Sequence, residues 1–128
     1  MKILVTGGAG FIGSNFVHHL LHSHSADQVL VVDKLTYAGN LRNLGEALND
    51  SRCRFVRMDV GDPAMTEVIK GCDAAVHFAA ESHVDRSIED ASPFVKTNVE
   101  GSWRLVESCR ANGVSRFVHV STDRKSVV

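Results

Sequence analysis

Three glycines at GxxGxxG spacing carry the first chemical signal of the chain: Gly7, Gly10 and Gly13, in the run Thr6-Gly7-Gly8-Ala9-Gly10-Phe11-Ile12-Gly13. The run follows a short apolar stretch and opens a segment with helical spacing. Glycines at such a junction permit a tight turn, let backbone approach a pyrophosphate, and let the helix pack on the strand. The N-terminus of the helix then offers free N–H groups and a partial positive charge to phosphate oxygens. The expected occupant is a dinucleotide, bound by a relative of the GxGxxG fingerprint.

Asp33 lies twenty residues past Gly13, at the end of the apolar run Val29-Leu30-Val31-Val32. A carboxylate there accepts hydrogen bonds from ribose hydroxyls and repels a 2′-phosphate, so NAD rather than NADP is the expected cofactor. Lys34, the next residue, works against that preference. Asp59 follows a third strand pattern. One reading sends its side chain to the adenine amino group; the other makes it a turn residue ahead of Gly61-Asp62-Pro63.

These residues need a scaffold, and the pattern supplies one. Short strands are expected at Ile3 to Val5, Val29 to Val32, Arg54 to Met58, Ala74 to Phe78 and Arg116 to Val120. Between them lie helical stretches: one with Ile12, Phe16 and Leu20 on a common stripe, short ones over Leu41 to Leu48 and Pro63 to Ile69, and a long one. Asp62 caps the Pro63 helix, and Ser92-Pro93 starts the long one. Phe94, Val95, Val99, Leu105, Val106 and Cys109 form the buried face of the long helix, and Asn112-Gly113 ends it. Gly101 inside that helix is either a close approach to another backbone or a tolerated defect, since glycine there costs about 1 kcal/mol against alanine. Five strands alternating with helices predict an α/β fold, a Rossmann-type doubly wound parallel sheet in the order 3-2-1-4-5.

The 128 residues are 44% hydrophobic and 23% charged, with a formal net charge of −1. This suits one soluble domain and leaves no basic footprint for nucleic acid. No apolar run spans a bilayer, and the amino terminus enters a strand directly, so neither a membrane partner nor a signal peptide is expected, and a cytoplasmic location is the expectation. Cys53, Cys72 and Cys109 share no CxxC spacing and are expected as reduced thiols. His18 and His22 stand four apart on the first helix, but no third ligand accompanies them. A solvated helix face is expected, and no metal. Trp103 is expected to serve in packing or a subunit contact.

The glycine turn, together with Ala79-Ala80-Glu81-Ser82-His83-Val84-Asp85-Arg86-Ser87, resembles the extended short-chain dehydrogenase/reductase family. Val32-Asp33-Lys34-Leu35-Thr36-Tyr37-Ala38-Gly39-Asn40 and Val120-Ser121-Thr122-Asp123 narrow the resemblance to its nucleotide-sugar dehydratases acting on dTDP-glucose. The resemblance implies an NAD-dependent lyase whose full-length form is a homodimer. It places Phe11 and Ile12 against the pyrophosphate, and Asp33, Lys34, Leu35 and Thr36 around the adenosine ribose. Asp59 and Val60 fall at the adenine. Phe78, Ala79, Ala80, Glu81 and Ser82 run along the middle of the cofactor, Ser82 also near the sugar nucleotide. Thr97 lies on the cofactor side, and Thr122 at the substrate hexose.

In that family a YxxxK tyrosine takes a hydroxyl proton as hydride leaves sugar C4. A glutamate then takes the C5 proton, an aspartate protonates the departing C6 hydroxyl, and hydride returns to C6. This chain departs from the pattern. The family's Thr-Asp-Glu reads Thr122-Asp123-Arg124; Asp123 matches the acid, but Arg124 cannot act as a base. Tyr37 is the only tyrosine, and no YxxxK occurs. Asp123 to Val128 back-translates to a series resembling a sequencing-adapter sequence. Residues 1–123 are therefore expected to form the NAD-binding portion and residues 124–128 a tail outside the family. The expected function is the cofactor half of the dehydratase, inactive alone. Another nucleotide-sugar epimerase or decarboxylase, or a non-catalytic NAD-binding module, are the alternatives.

Overall fold

The computed structural model describes residues 1–23, 28–34, 41–78 and 101–120. Its elements are β1 (Lys2–Thr6), α1 (Phe11–His22), β2 (Gln28–Asp33), two 3-10 helices (Leu41–Asn43 and Gly45–Asn49), β3 (Cys53–Arg57), α2 (Met65–Val68), β4 (Ala74–Phe78), α3 over residues 101–111, and β5 (Arg116–Val120). All four strand pairings are parallel, and the order is β3-β2-β1-β4-β5. This is the order expected from sequence.

The central strands are buried on both faces, which is why they read as continuous apolar runs. Alternation along each strand divides their side chains between two cores. Ile3, Val5, Val29 and Val31 meet Val17, Leu20 and Leu21 of α1, with Leu44 and Ala47. Leu4, Leu30, Val32 and Ala75 face the other way, onto Met65, Ile69, Cys72, Leu105 and Cys109. Truncating a fully buried side chain such as Leu4 to alanine is expected to cost about 2–5 kcal/mol.

Several expectations shift. The stripe of α1 that is buried runs through Gly13, Ser14, Val17, Leu20 and Leu21, whereas Ile12 is exposed and Phe16 only half-buried. Gly13, on the buried stripe, lies against the glycine turn. The predicted helix over Leu41 to Leu48 is two short 3-10 helices broken at Leu44. The α-helical part of the next one is only Met65–Val68, preceded by turns in which Asp62 accepts from the Ala64 amide at 2.8 Å. In α3, Leu105 and Cys109 are buried, but Val106 is exposed, and so is Trp103 at 64%, which overturns its reading as a packing residue. Gly101 is a close approach: a Cβ there would lie 3.3 Å from Val60 Cγ2. The predicted helix start at Ser92-Pro93, with Phe94, Val95 and Val99, lies outside the described residues.

His18 is not simply solvated, since its Nε2 lies 3.0 Å from the Asn43 carbonyl oxygen. Among the described residues no group of His, Cys, Asp and Glu is placed to hold a metal ion. No helix among them is long and apolar enough to cross a membrane.

Candidate functional site

Parallel register brings the C-terminal ends of the strands to one edge. Thr6 pairs with Val32 on one side and His77 on the other, and Asp33 pairs with Arg57. The chain reverses direction across the sheet between β1 and β4. In sheets of this kind the crevice at that point is where ligands bind.

The glycine turn occupies the crevice. Gly7 extends the ladder by donating to Val32 O at 2.8 Å, then turns with φ +71°. A Cβ on Gly7 would lie 2.7 Å from the carbonyl oxygen of Phe78, at the end of β4. Gly10 donates back to Gly7 O at 3.2 Å and is the N-cap of α1, with no side-chain cap. A Cβ on Gly13 would run into the Gly7 carbonyl. The turn is thus a backbone cradle that side chains would fill. The first amides of α1 have no acceptor within the helix. Phe11 and Ile12 stand exposed beside them, 69% and 45% accessible.

Asp33 is buried at the end of β2, and its Oδ2 accepts from the Ala9 amide at 2.9 Å. The acid and the glycine turn are therefore joined directly. Asn43 holds the next peptide of the turn, its Nδ2 donating to Ala9 O at 2.8 Å. Sequence reading missed Asn43; it lies in a 3-10 helix whose approach to the turn has no local signature.

Asp59 takes the turn role of its two sequence readings and adds an ion pair that neither included. Its Oδ1 accepts from the Gly61 amide at 2.9 Å, a turn contact, while Oδ2 pairs with Lys34 Nζ at 3.1 Å. The Gly61 amide, helped by Lys34, holds this carboxyl below the usual carboxylate range despite partial burial. Val60 is half-buried against Gly101. Phe78 packs its ring on Phe16, centroids 5.6 Å apart.

A second set escaped sequence reading. Thr6 Oγ1 hydrogen-bonds His77 Nδ1, and His77 Nε2 lies 2.9 Å from Ser102 Oγ. The chain crosses from β1 through β4 to α3. Burial, with the stacked ring of His119, pushes His77 down to about 4. The only sequence signal was a histidine inside the apolar run Ala74-Ala75-Val76-His77-Phe78.

Leu35, Thr36, Ala79, Ala80, Glu81, Ser82, Thr97, Thr122 and Asp123 lie outside the described residues. The structure brings together Gly7, Gly10, Phe11, Ile12, Gly13, Asp33, Lys34, Asp59, Val60 and Phe78 at one sheet edge.

Sheet order, switch point and turn together define a Rossmann-type dinucleotide-binding unit. The profile of the family described as Epimerase, NAD dependent epimerase/dehydratase family, matches residues 3–125, and the chain belongs to that family. The dTDP-glucose 4,6-dehydratase of Streptomyces niveus is 52% identical over 128 residues, which cover 96% of this chain and 38% of that protein. The dTDP-glucose 4,6-dehydratase of Mycobacterium tuberculosis H37Rv is 46% identical over 124 residues, covering 96% and 37%. The crystal structure of the Streptomyces venezuelae dTDP-glucose 4,6-dehydratase DesIV, with NAD bound, superposes with a TM-score of 0.88 at 52% identity, covering 93% of this chain and 38% of that one. UDP-glucuronic acid 4-epimerase from Bacillus cereus, in complex with UDP-glucuronic acid and NAD, gives 0.84 at 31% identity, covering 96% and 40%. This chain spans about two-fifths of the length of these relatives.

Proposed function

We propose that this chain is the cofactor half of an NAD-dependent dTDP-glucose 4,6-dehydratase, a lyase that removes water from dTDP-glucose to give dTDP-4-keto-6-deoxyglucose. The observation that carries the reading is the glycine turn at the switch point, joined by the Ala9 amide to the Asp33 carboxylate. The higher identity to dehydratases than to the epimerase favours dehydration over epimerisation.

The residues present fit the cofactor. The Gly7–Gly13 turn and the first amides of α1 receive the pyrophosphate, and Phe11 and Ile12 cover it. Asp33 faces the adenosine ribose, with Lys34, Leu35 and Thr36 around it, and Asp59 and Val60 meet the adenine. Phe78, Ala79, Ala80, Glu81 and Ser82 follow the middle of the cofactor, with Thr97 on the same side. Bound NAD supplies reversible acceptance of a sugar hydride. Ser82 and Thr122 meet the nucleotide sugar, and Asp123 gives a proton to the departing hydroxyl. The full-length form pairs as a homodimer, a reading supported by the exposed Trp103 and Val106 on α3.

Calorimetric titration of NAD+ into the 128-residue chain tests the cofactor reading. Saturable one-site binding is expected, abolished by Gly13→Val; a wild-type chain that takes up no NAD+ overturns it. With no YxxxK in these residues, the chain alone is expected to leave dTDP-glucose unconsumed, and turnover would refute that.

A further inference from the structure

Asp33 and Lys34 are adjacent at the end of β2, and Asp59 reaches them from the loop after β3. Lys34 Nζ sits 3.1 Å from Asp59 Oδ2, and the other oxygen of that carboxylate is fixed by the Gly61 amide at 2.9 Å. Asp59 therefore cannot swing away from Lys34 without giving up its turn contact. Lys34 is the cation next to Asp33 on β2, with Arg57 the register partner of Asp33 on β3, at the strand ends where a 2′-phosphate would have to be met. A lysine committed to a carboxylate is a poorer phosphate ligand, and the carboxylate adds repulsion of its own.

We infer that Asp59 is a cofactor-specificity residue: by pairing Lys34, it withholds the cation beside Asp33 from a 2′-phosphate and so selects NAD over NADP. The inference rests on the NAD-binding reading proposed above. Its logic is charge balance at the adenosine end of the crevice. Asp33, Lys34 and Asp59 together carry one net negative charge, and Arg57 opposite Asp33 is the same in every variant. Neutralising Asp59 leaves none and frees the lysine. Neutralising Lys34 alone leaves two negative charges. Neutralising both restores the single charge of the wild type.

The test is a double-mutant cycle on the full chain, with NAD+ and NADP+ affinities measured by calorimetry at low and high salt. Asp59→Asn keeps an oxygen for the Gly61 amide, so the turn is retained. It is expected to raise the NADP+/NAD+ affinity ratio roughly fivefold, the size of an exposed charge effect, with the gain shrinking at high salt. Lys34→Met is expected to lower the ratio, and Asp59→Asn with Lys34→Met to return it to the wild-type value. Any loss of adenine contact in Asp59→Asn weakens both cofactors alike and cancels in the ratio. A ratio unmoved by Asp59→Asn, or one equally raised in the double variant, overturns the inference while leaving NAD binding intact. A wild-type chain that binds neither cofactor removes the NAD-binding reading and this inference together.

Discussion

The Ala9 amide donates to the Asp33 carboxylate across 2.9 Å, joining the turn expected to take a pyrophosphate to the acid expected to take a ribose. Ala9 is fully buried, and its carbonyl is held in turn by Asn43. The turn is thus fixed from both sides by side chains from other segments. Such preorganisation reduces the ordering cost of binding.

Asp33 accordingly has a structural role separable from ribose recognition. Asp33→Ala leaves a buried amide without its acceptor, an expected cost of about 1–3 kcal/mol. Asp33→Asn keeps an oxygen for Ala9 and is expected to fold nearly as the wild type while weakening NAD+. Urea unfolding alongside cofactor titration separates the two effects, and equal destabilisation by both variants would refute the separation.

Gly13→Ala places a methyl group against the Gly7 carbonyl, which is backbone and cannot step aside. The expected outcome is a loss of about 1–3 kcal/mol from overpacking, together with loss of NAD+ affinity, read by thermal unfolding and calorimetry. A variant as stable as the wild type would show that α1 can shift from β1 freely.

His77 makes stability depend on pH. Its folded value is about 4 against 6.5 for the ordinary group, so between these pH values the unfolded chain binds a proton that the folded chain does not. Stability is complete above pH 6.5 and falls as the pH drops toward 4, by an amount on the order of 3 kcal/mol. His77→Gln is expected to flatten this slope in urea unfolding at successive pH values. Parallel wild-type and variant slopes would exclude His77 as the source.

Cys72 and Cys109 are both buried in the second core, and burial pushes both thiols up, Cys109 to about 11. The thiolate is the reactive form, so both are expected to resist a thiol reagent at neutral pH until the chain unfolds. Mass spectrometry after a short pulse of iodoacetamide checks this. Rapid native labelling of either one would place it outside the core.

Strand order, strand limits to within a residue or so, and the glycine–acid constellation were legible because each has a local signature. A β-branched run, a glycine turn and an Asn-Gly stop are set by neighbours in sequence. Asn43 and the Lys34–Asp59 pair had none, and His77 only its place inside an apolar run. Each is defined by a partner on another segment: Asn43 by Ala9, His77 by Thr6 and Ser102, Lys34 by Asp59. The buried stripe of α1 was misread as well: it runs through Gly13, Ser14, Val17, Leu20 and Leu21, with Gly13 against the Gly7 carbonyl.

The sequence by itself determined that this chain builds a parallel α/β sheet with a phosphate-binding turn and an acid at the end of β2. Backbone sterics and side-chain periodicity act over a few residues and are written in order along the chain. Only the tertiary structure decided that the Ala9 amide would be given to Asp33, that Lys34 would be taken by Asp59, and that His77 would be buried between two hydroxyls. Those outcomes depend on directed contacts of about 3 Å or less between segments far apart in the chain, and strand register, not composition, brings such segments together.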